Sequence, residues 1–73
     1  STAKQMQKDD LIAQATTLIE QDKGQEAFNL IKDSLESSNN YYLYRIAAQS
    51  MASMNDPSQA VFYYEKALLL TPN

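Results

Sequence analysis

The sequence predicts an all-α fold of four helices, arranged as two antiparallel helix–turn–helix pairs. Three observations predict it. Apolar residues recur at the period of an amphipathic helix in four segments, no segment alternates as a half-buried strand does, and polar or cap-forming residues separate the segments. The connections between the segments are about two to four residues long, and helices joined by such connections pack as antiparallel neighbours.

The first helix is predicted for about residues 3–21. Thr2 and Gln5 have the spacing of a capping box, and the apolar residues after them keep a helical period. Gly24 interrupts this pattern and predicts a break. A second helix is then predicted for about residues 25–37. Its apolar side consists of Ala27, Phe28, Leu30, Ile31 and Leu35.

The third helix is predicted for about residues 41–54. The polar run 37–40 before it predicts a short connection, and the side chain of Asn40 can cap the new helix. One face of this helix carries Tyr41, Tyr44, Ala48 and Met51.

The fourth helix has the clearest start signal. Asp56 supplies an acidic N-cap, Pro57 occupies the first helical position, and Gln59 stands at the capping-box position. Pro72 predicts that the helix ends at about residue 71, because proline cannot continue a helix.

Composition excludes several classes of function. The chain has no cysteine and no histidine, so a zinc site of the Cys/His type and general base catalysis by histidine are ruled out. A single glycine cannot form a phosphate-binding loop, and the carboxylates lack the spacing of an EF-hand. The sequence therefore predicts a protein that is not an enzyme and that has no cofactor and no metal.

Charge and aromatic residues are distributed unevenly. Residues 1–40 hold four lysines against seven acidic residues, a net charge of 4 − 7 = −3, whereas residues 41–73 sum to zero and hold six of the seven aromatic residues. The scattered basic residues form no positive stripe, so we expect no nucleic-acid partner. The apolar runs are far shorter than the roughly 20 residues that span a bilayer, so we expect no membrane insertion. The second half is instead expected to be covered by protein.

The second half repeats the first at an offset of 33 residues. This offset aligns Ala15 with Ala48 and Ala27 with Ala60. Large apolar residues recur at the matched positions as well: Leu11 with Tyr44, Leu18 with Met51, and Ile31 with Tyr64. The alanines are expected where two helices cross closely, and Ala60, Tyr64 and Ala67 are expected to face inward within the second pair.

The second copy contains an ordered set of large and small residues. It runs Tyr44-x2-Ala47-Ala48-x2-Met51, then Ala60-x3-Tyr64, then Ala67 and Pro72. The first copy is one residue short, without the opening aromatic or the closing proline. It runs Leu11-x2-Gln14-Ala15-x2-Leu18, then Ala27-x3-Ile31, then Ser34 and Asn39. The pattern over residues 8–73 resembles the tetratricopeptide repeat, a helix pair of about 34 residues.

This resemblance implies a short right-handed solenoid of two stacked repeats, about 8–40 and 41–73, within a single domain 1–73. The domain is expected to be a fragment of a longer protein. The resemblance also implies a protein-interaction module, in which the first helices of each repeat line a groove for a peptide or a partner helix. The groove residues would be Asp9, Ile12, Thr16, Ile19, Tyr42, Arg45, Gln49 and Ala52.

Two of these groove residues, Tyr42 and Arg45, are of the types that often dominate binding energy. The alternative is that both side chains are exposed and contact nothing. Family members that bind acidic chaperone tails use lysine and asparagine in this groove, where this chain has Ile12 and Thr16. No specific binding to such tails is expected.

The last helix is the second candidate interaction surface. Phe62 and Leu69 align with the polar residues Asn29 and Glu36, and they lie seven residues apart on one stripe. The candidate interface residues are Val61, Phe62, Tyr63, Leu68, Leu69 and Leu70. They predict a homodimer, or packing against neighbouring repeats. The alternative function is therefore a structural or self-assembling unit without a peptide ligand, and a monomer with a partly exposed last helix remains open.

Overall fold

A computed structural model describes residues 2–71, which form four α-helices and no strand. The helices are α1 (Ala3–Glu20), α2 (Gly24–Ser38), α3 (Tyr41–Ser53) and α4 (Pro57–Leu69). Helix α3 is central, because it packs on α1, α2 and α4, whereas the backbone of α4 approaches α3 alone. The predicted all-α class and the order of four helices are confirmed. Helix α4 ends about two residues earlier than predicted, and Pro72 lies outside the described residues.

Side-chain caps begin three of the helices. Thr2 Oγ1 accepts a hydrogen bond from the backbone N–H of Gln5 at 3.1 Å. Asn40 Oδ1 accepts from the N–H of Tyr42 at 2.8 Å, and Asp56 Oδ1 accepts from the N–H of Gln59 at 3.2 Å. These bonds satisfy backbone donors that have no partner within the helix. The predicted caps at Asn40 and Asp56 are confirmed.

The turns after α1 and α3 have the same backbone geometry. Asp22 and Asn55, which are 33 residues apart, have positive φ angles of 61° and 60°. The N–H of Lys23 donates to the carbonyl of Leu18 at 2.8 Å, and the N–H of Asp56 donates to that of Met51 at 2.9 Å. This is the hydrogen-bond pattern of a Schellman motif, in which a left-handed residue ends the helix. The offset of 33 is therefore present in the backbone as well as in the sequence.

The core is built from small residues where helices approach and from large residues beside them. All four aligned alanines are buried: Ala15, Ala27, Ala48 and Ala60. Ile31 and Leu43 are fully buried with them. Ser50 is the buried polar side chain of this core, and its hydroxyl donates to the carbonyl of Ile46 at 3.0 Å. Small residues at the crossings let the large ones interdigitate, as the repeat pattern predicts.

Gly24 corrects one prediction. It was expected to break the chain between two helices, but it is the first residue of α2 and is buried. A Cβ atom at this position would overlap Ser53 Oγ and lie 3.0 Å from the carbonyl oxygen of Ser50. Glycine is therefore needed because the start of α2 packs against the end of α3, and not because the backbone requires a left-handed conformation.

Candidate interaction surfaces

The predicted groove is a shallow cavity between α1 and α3. It has a volume of about 230 Å³ and is lined by Ile12, Thr16, Tyr42, Arg45, Ile46 and Gln49. Five of the predicted groove residues therefore lie together, and the buried Ile46 was not predicted. Asp9, Ile19 and Ala52 do not line this cavity. Ile46 could have been found from sequence, because it lies four residues after Tyr42 and three before Gln49, on the same side of α3.

The chemistry of this groove is mixed. Tyr42 is 52% exposed, and its ring contacts that of Tyr41 edge to face, with the centroids 5.0 Å apart. The Thr16 hydroxyl donates to the carbonyl of Ile12 at 2.8 Å, so its proton is already used within α1. Arg45 is the single charged residue of the lining. Such a surface can accept one carboxylate or a backbone carbonyl beside a small apolar contact.

A second surface, which we call the end face, is formed by α3 and α4 on the side away from α2. Its exposed apolar residues are Val61, Tyr64 and Leu68 of α4. Two cavities lie on it, one on either side of Tyr64. The larger, of about 480 Å³, is lined by Ala52, Asn55, Pro57, Ala60, Val61 and Tyr64. The smaller, of about 290 Å³, is lined by Tyr41, Arg45, Tyr64, Ala67 and Leu68.

The end face corresponds, at the offset of 33, to the face of α1 and α2 on which α3 packs. Ile31 and Leu35 of that covered face are 0% and 5% exposed, and they belong to one core cluster with Leu43 of α3. Their matched residues Tyr64 and Leu68 are 41% and 71% exposed. Tyr64 was expected to face inward within its helix pair. It is exposed because no element of residues 2–71 lies where α3 lies in the first pair.

A third surface, which we call the back stripe, is formed by Phe62 and Leu69 of α4. Phe62 is 49% exposed and Leu69 is 83% exposed. The Lys66 ammonium lies 5.4 Å from the centroid of the Phe62 ring, a cation–π arrangement that covers part of it. Leu70, at the end of α4, is half-buried.

Tyr63, also a predicted interface residue, is half-buried within an aromatic cluster. Its ring centroid lies 5.8 Å from that of Phe28, 6.4 Å from that of Tyr44 and 5.1 Å from that of Phe62. Burial raises the pKa of the Tyr63 phenol above its ordinary value, and the neighbouring Tyr44 and Glu36 raise it further. Tyr63 therefore joins α4 to α2 and α3.

The outer side of α1 is polar, unlike the end face. The α3 residues that pack on the first pair include Leu43, Ile46, Ala47 and Ser50, all buried. Their matched residues on α1 are Asp10, Ala13, Gln14 and Thr17, all exposed. Gln14 Nε2 donates to Asp10 Oδ2 at 2.7 Å, so these two side chains satisfy each other in solvent. The two ends of the helical stack are thus chemically different.

Residues 2–71 contain no group of three potential metal-ligating side chains close enough to hold an ion. In the same range, no helix combines the length and the apolar character that crossing a bilayer requires. Comparison of the chain with protein families, curated proteins and solved structures gave no match. The interpretation of function therefore depends on the surfaces described above.

Proposed function

We propose that this chain is a non-enzymatic protein-interaction module that binds a partner helix on its end face. The observation that carries the proposal is the internal comparison of the two helix pairs. Positions that a helix covers in the first pair are apolar and exposed in the second. Leu68 is 71% exposed, whereas its matched residue Leu35 is 5% exposed. An apolar face of this kind is typical of a protein-binding site.

The proposed architecture is that of two tetratricopeptide-type repeats stacked as a right-handed solenoid. Three findings support it: the aligned buried alanines, the matched Schellman turns at Asp22 and Asn55, and the packing of α3 on both helices of the first pair. In such a stack each helix pair presents a face that the next helix covers. The partner helix would take that next position, whether it belongs to another protein or to a neighbouring repeat.

The chemistry of the partner follows from α3, which covers the matched face. Helix α3 presents Leu43, Ile46, Ala47 and Ser50 to the first pair, at positions i, i+3, i+4 and i+7. The partner is therefore expected to be an amphipathic helix with large residues followed by small ones on a single stripe. Pro57 stands where the first pair has Gly24, so the end of the partner helix must lie farther from α4 than Ser53 lies from α2.

A peptide with the sequence of residues 40–54 and blocked termini is a direct probe of this site. We expect it to bind the isotopically labelled chain with a dissociation constant below about 1 mM. The amide resonances of Val61, Tyr64 and Leu68 should shift in nuclear magnetic resonance spectra. Leu68→Lys should abolish these shifts, whereas Thr17→Lys, which adds the same charge on the polar side of α1, should leave them intact. Shifts absent at saturating peptide, or confined to the groove, would contradict the proposal.

A second candidate is peptide binding in the groove, favoured by the clustering of Ile12, Thr16, Tyr42, Arg45 and Gln49 around one cavity. Arg45 also lines the end face, so it cannot separate the two sites. Gln49→Ala and Tyr42→Ala can separate the two sites, because the groove is the only described cavity that either residue lines. A peptide binds in the groove if its affinity falls about tenfold with each of these two substitutions and is unchanged by Leu68→Lys.

A further inference from the structure

We propose that two copies of this chain associate through their back stripes, with α4 of one copy antiparallel to α4 of the other about a twofold axis. Leu69 of each copy would enter a cavity beside Phe62 of the other. This surface is distinct from the end face, so the proposal does not depend on the proposed function.

Each copy carries both a protruding side chain and a cavity that fits it. Leu69 is the most exposed large apolar side chain of residues 2–71, at 83%. The cavity beside Phe62, between α2 and α4, has a volume of about 280 Å³. The half-buried or buried Phe28, Leu35 and Tyr63 form its apolar part, and the exposed Lys32, Glu36 and Lys66 surround them. A leucine side chain can enter such a space, and its methyl groups would meet aromatic carbon.

The spacing along α4 allows both insertions at once. Phe62 and Leu69 are seven residues apart, two turns or about 10.5 Å along one helix face. A twofold axis midway between Glu65 and Lys66 places Phe62 of one copy opposite Leu69 of the other, and the reverse. An interface of this kind is isologous, so each contact occurs twice.

The charges on the stripe are complementary under the same symmetry. Glu65 and Lys66 lie between Phe62 and Leu69 on the same side of α4. The proposed axis places Glu65 of each copy opposite Lys66 of the other, which gives two pairs of opposite charge. The association also joins the neutral halves of the two chains, residues 41–73, and not the halves with a net charge of −3. Complementary charge fixes the register of an interface more than it adds affinity.

A head-to-tail association of copies is disfavoured. It would place the outer side of α1 of one copy on the end face of the next. The residues buried there would include Asp10, Gln14 and Thr17, and buried polar groups without new partners cost free energy. The symmetric arrangement through α4 buries apolar residues instead.

Charge reversal at Glu65 and Lys66 tests the register. By analytical ultracentrifugation, we expect the unmodified chain to be a dimer at about 100 µM. Glu65→Lys alone and Lys66→Glu alone should each weaken association by about tenfold or more, because like charges then face each other. An equimolar mixture of the two variants should recover a heterodimer, because each reversed charge again meets its opposite. A mixture that does not recover would overturn the register.

Leu69→Gln should also dissociate the dimer without loss of helicity, because this side chain is almost fully exposed in the single chain. Leu68→Lys, one residue away on the end face, should leave the dimer intact. An unmodified chain that is monomeric at about 1 mM would overturn the proposal. A dimer that Leu68→Lys disrupts and Leu69→Gln does not would equally overturn it, by moving the interface to the end face.

Discussion

Gly24, the first residue of α2, packs directly against Ser53, the last residue of α3. The Ser53 hydroxyl donates to the carbonyl oxygen of Ser50 at 2.7 Å, which holds the side chain in place. A Cβ atom on Gly24 would lie 3.0 Å from that same carbonyl oxygen. This contact joins the two helix pairs, because α2 belongs to the first pair and α3 to the second.

Gly24→Ala should destabilise the fold by about 1–2 kcal/mol. Alanine favours a helix over glycine by up to about 1 kcal/mol, but overpacking at this contact costs about 1–3 kcal/mol. Urea unfolding monitored by circular dichroism measures the difference. Gln25→Ala, on the exposed side of the same turn, is the matched control and should not destabilise. Adding Ser53→Ala should recover part of the loss in Gly24→Ala, and a stabilised Gly24→Ala chain would contradict the contact.

Ala27→Leu and Ala60→Leu should both destabilise the fold by about 1–3 kcal/mol, because both alanines lie at close helix approaches. Ala27 is fully buried under α3, whereas Ala60 lines the open cavity on the end face. The larger cost is therefore expected at Ala27. Gln59→Leu places the same side chain on an exposed position and serves as the control in the same unfolding measurement. An unchanged unfolding midpoint for Ala60→Leu would contradict the aligned register of the two pairs.

The sequence predicted the helices well because their start signals act locally. Asn40 and Asp56 form the expected caps through residues at most three positions away. A capping box at Asp56 and Gln59 would include a bond from the Gln59 side chain to the N–H of Asp56. That N–H donates to the carbonyl of Met51 instead. The Schellman turn after α3 occupies this donor, and its signal was present in the left-handed tendency of Asn55.

Tertiary contacts were harder to predict. The sequence predicts a break at Gly24, because a sequence pattern does not reveal that α3 passes close to the start of α2. Tyr64 was expected to face inward, because its match Ile31 occupies a core position. Whether a repeat position is buried depends on the helix that follows it, and the internal alignment alone does not specify that helix for the second pair.

Asp56→Ala should cost about 0.5–2 kcal/mol of stability, because the N–H of Gln59 loses its acceptor at the start of α4. Asp56→Asn should cost much less, since asparagine caps a helix comparably well. Thermal unfolding followed by circular dichroism compares the two variants. Equal losses for alanine and asparagine would show that the charge of Asp56, and not its capping bond, stabilises the helix.

The stability of the fold should fall at alkaline pH because of Tyr63. Burial raises the pKa of Tyr63 above its ordinary value, so the folded chain holds this proton more tightly than the unfolded chain does. The resulting stabilisation is complete below the ordinary tyrosine pKa of about 10 and is lost as pH rises through the raised pKa. Unfolding free energies measured at about pH 9 and about pH 11 should differ less in Tyr63→Phe than in the unmodified chain.

Tyr42→Phe, at a side chain that is 52% exposed, is the control for this pH dependence. It should retain the alkaline loss of stability. If Tyr63→Phe also retained it in full, the loss would come from other groups.

The most direct test of the end face is the unfolding free energy of a chain in which residues 41–73 are repeated directly after Asn73. Asn73 matches Asn40 at the offset of 33, so the added segment begins as α3 does. We expect a single transition, more stable than that of the unmodified chain by at least about 2 kcal/mol, because the new helix buries Val61, Tyr64 and Leu68. Leu68→Lys in the original segment should remove most of this gain. A separate transition for the added segment, with the original midpoint unchanged, would contradict the claim that the end face binds a helix.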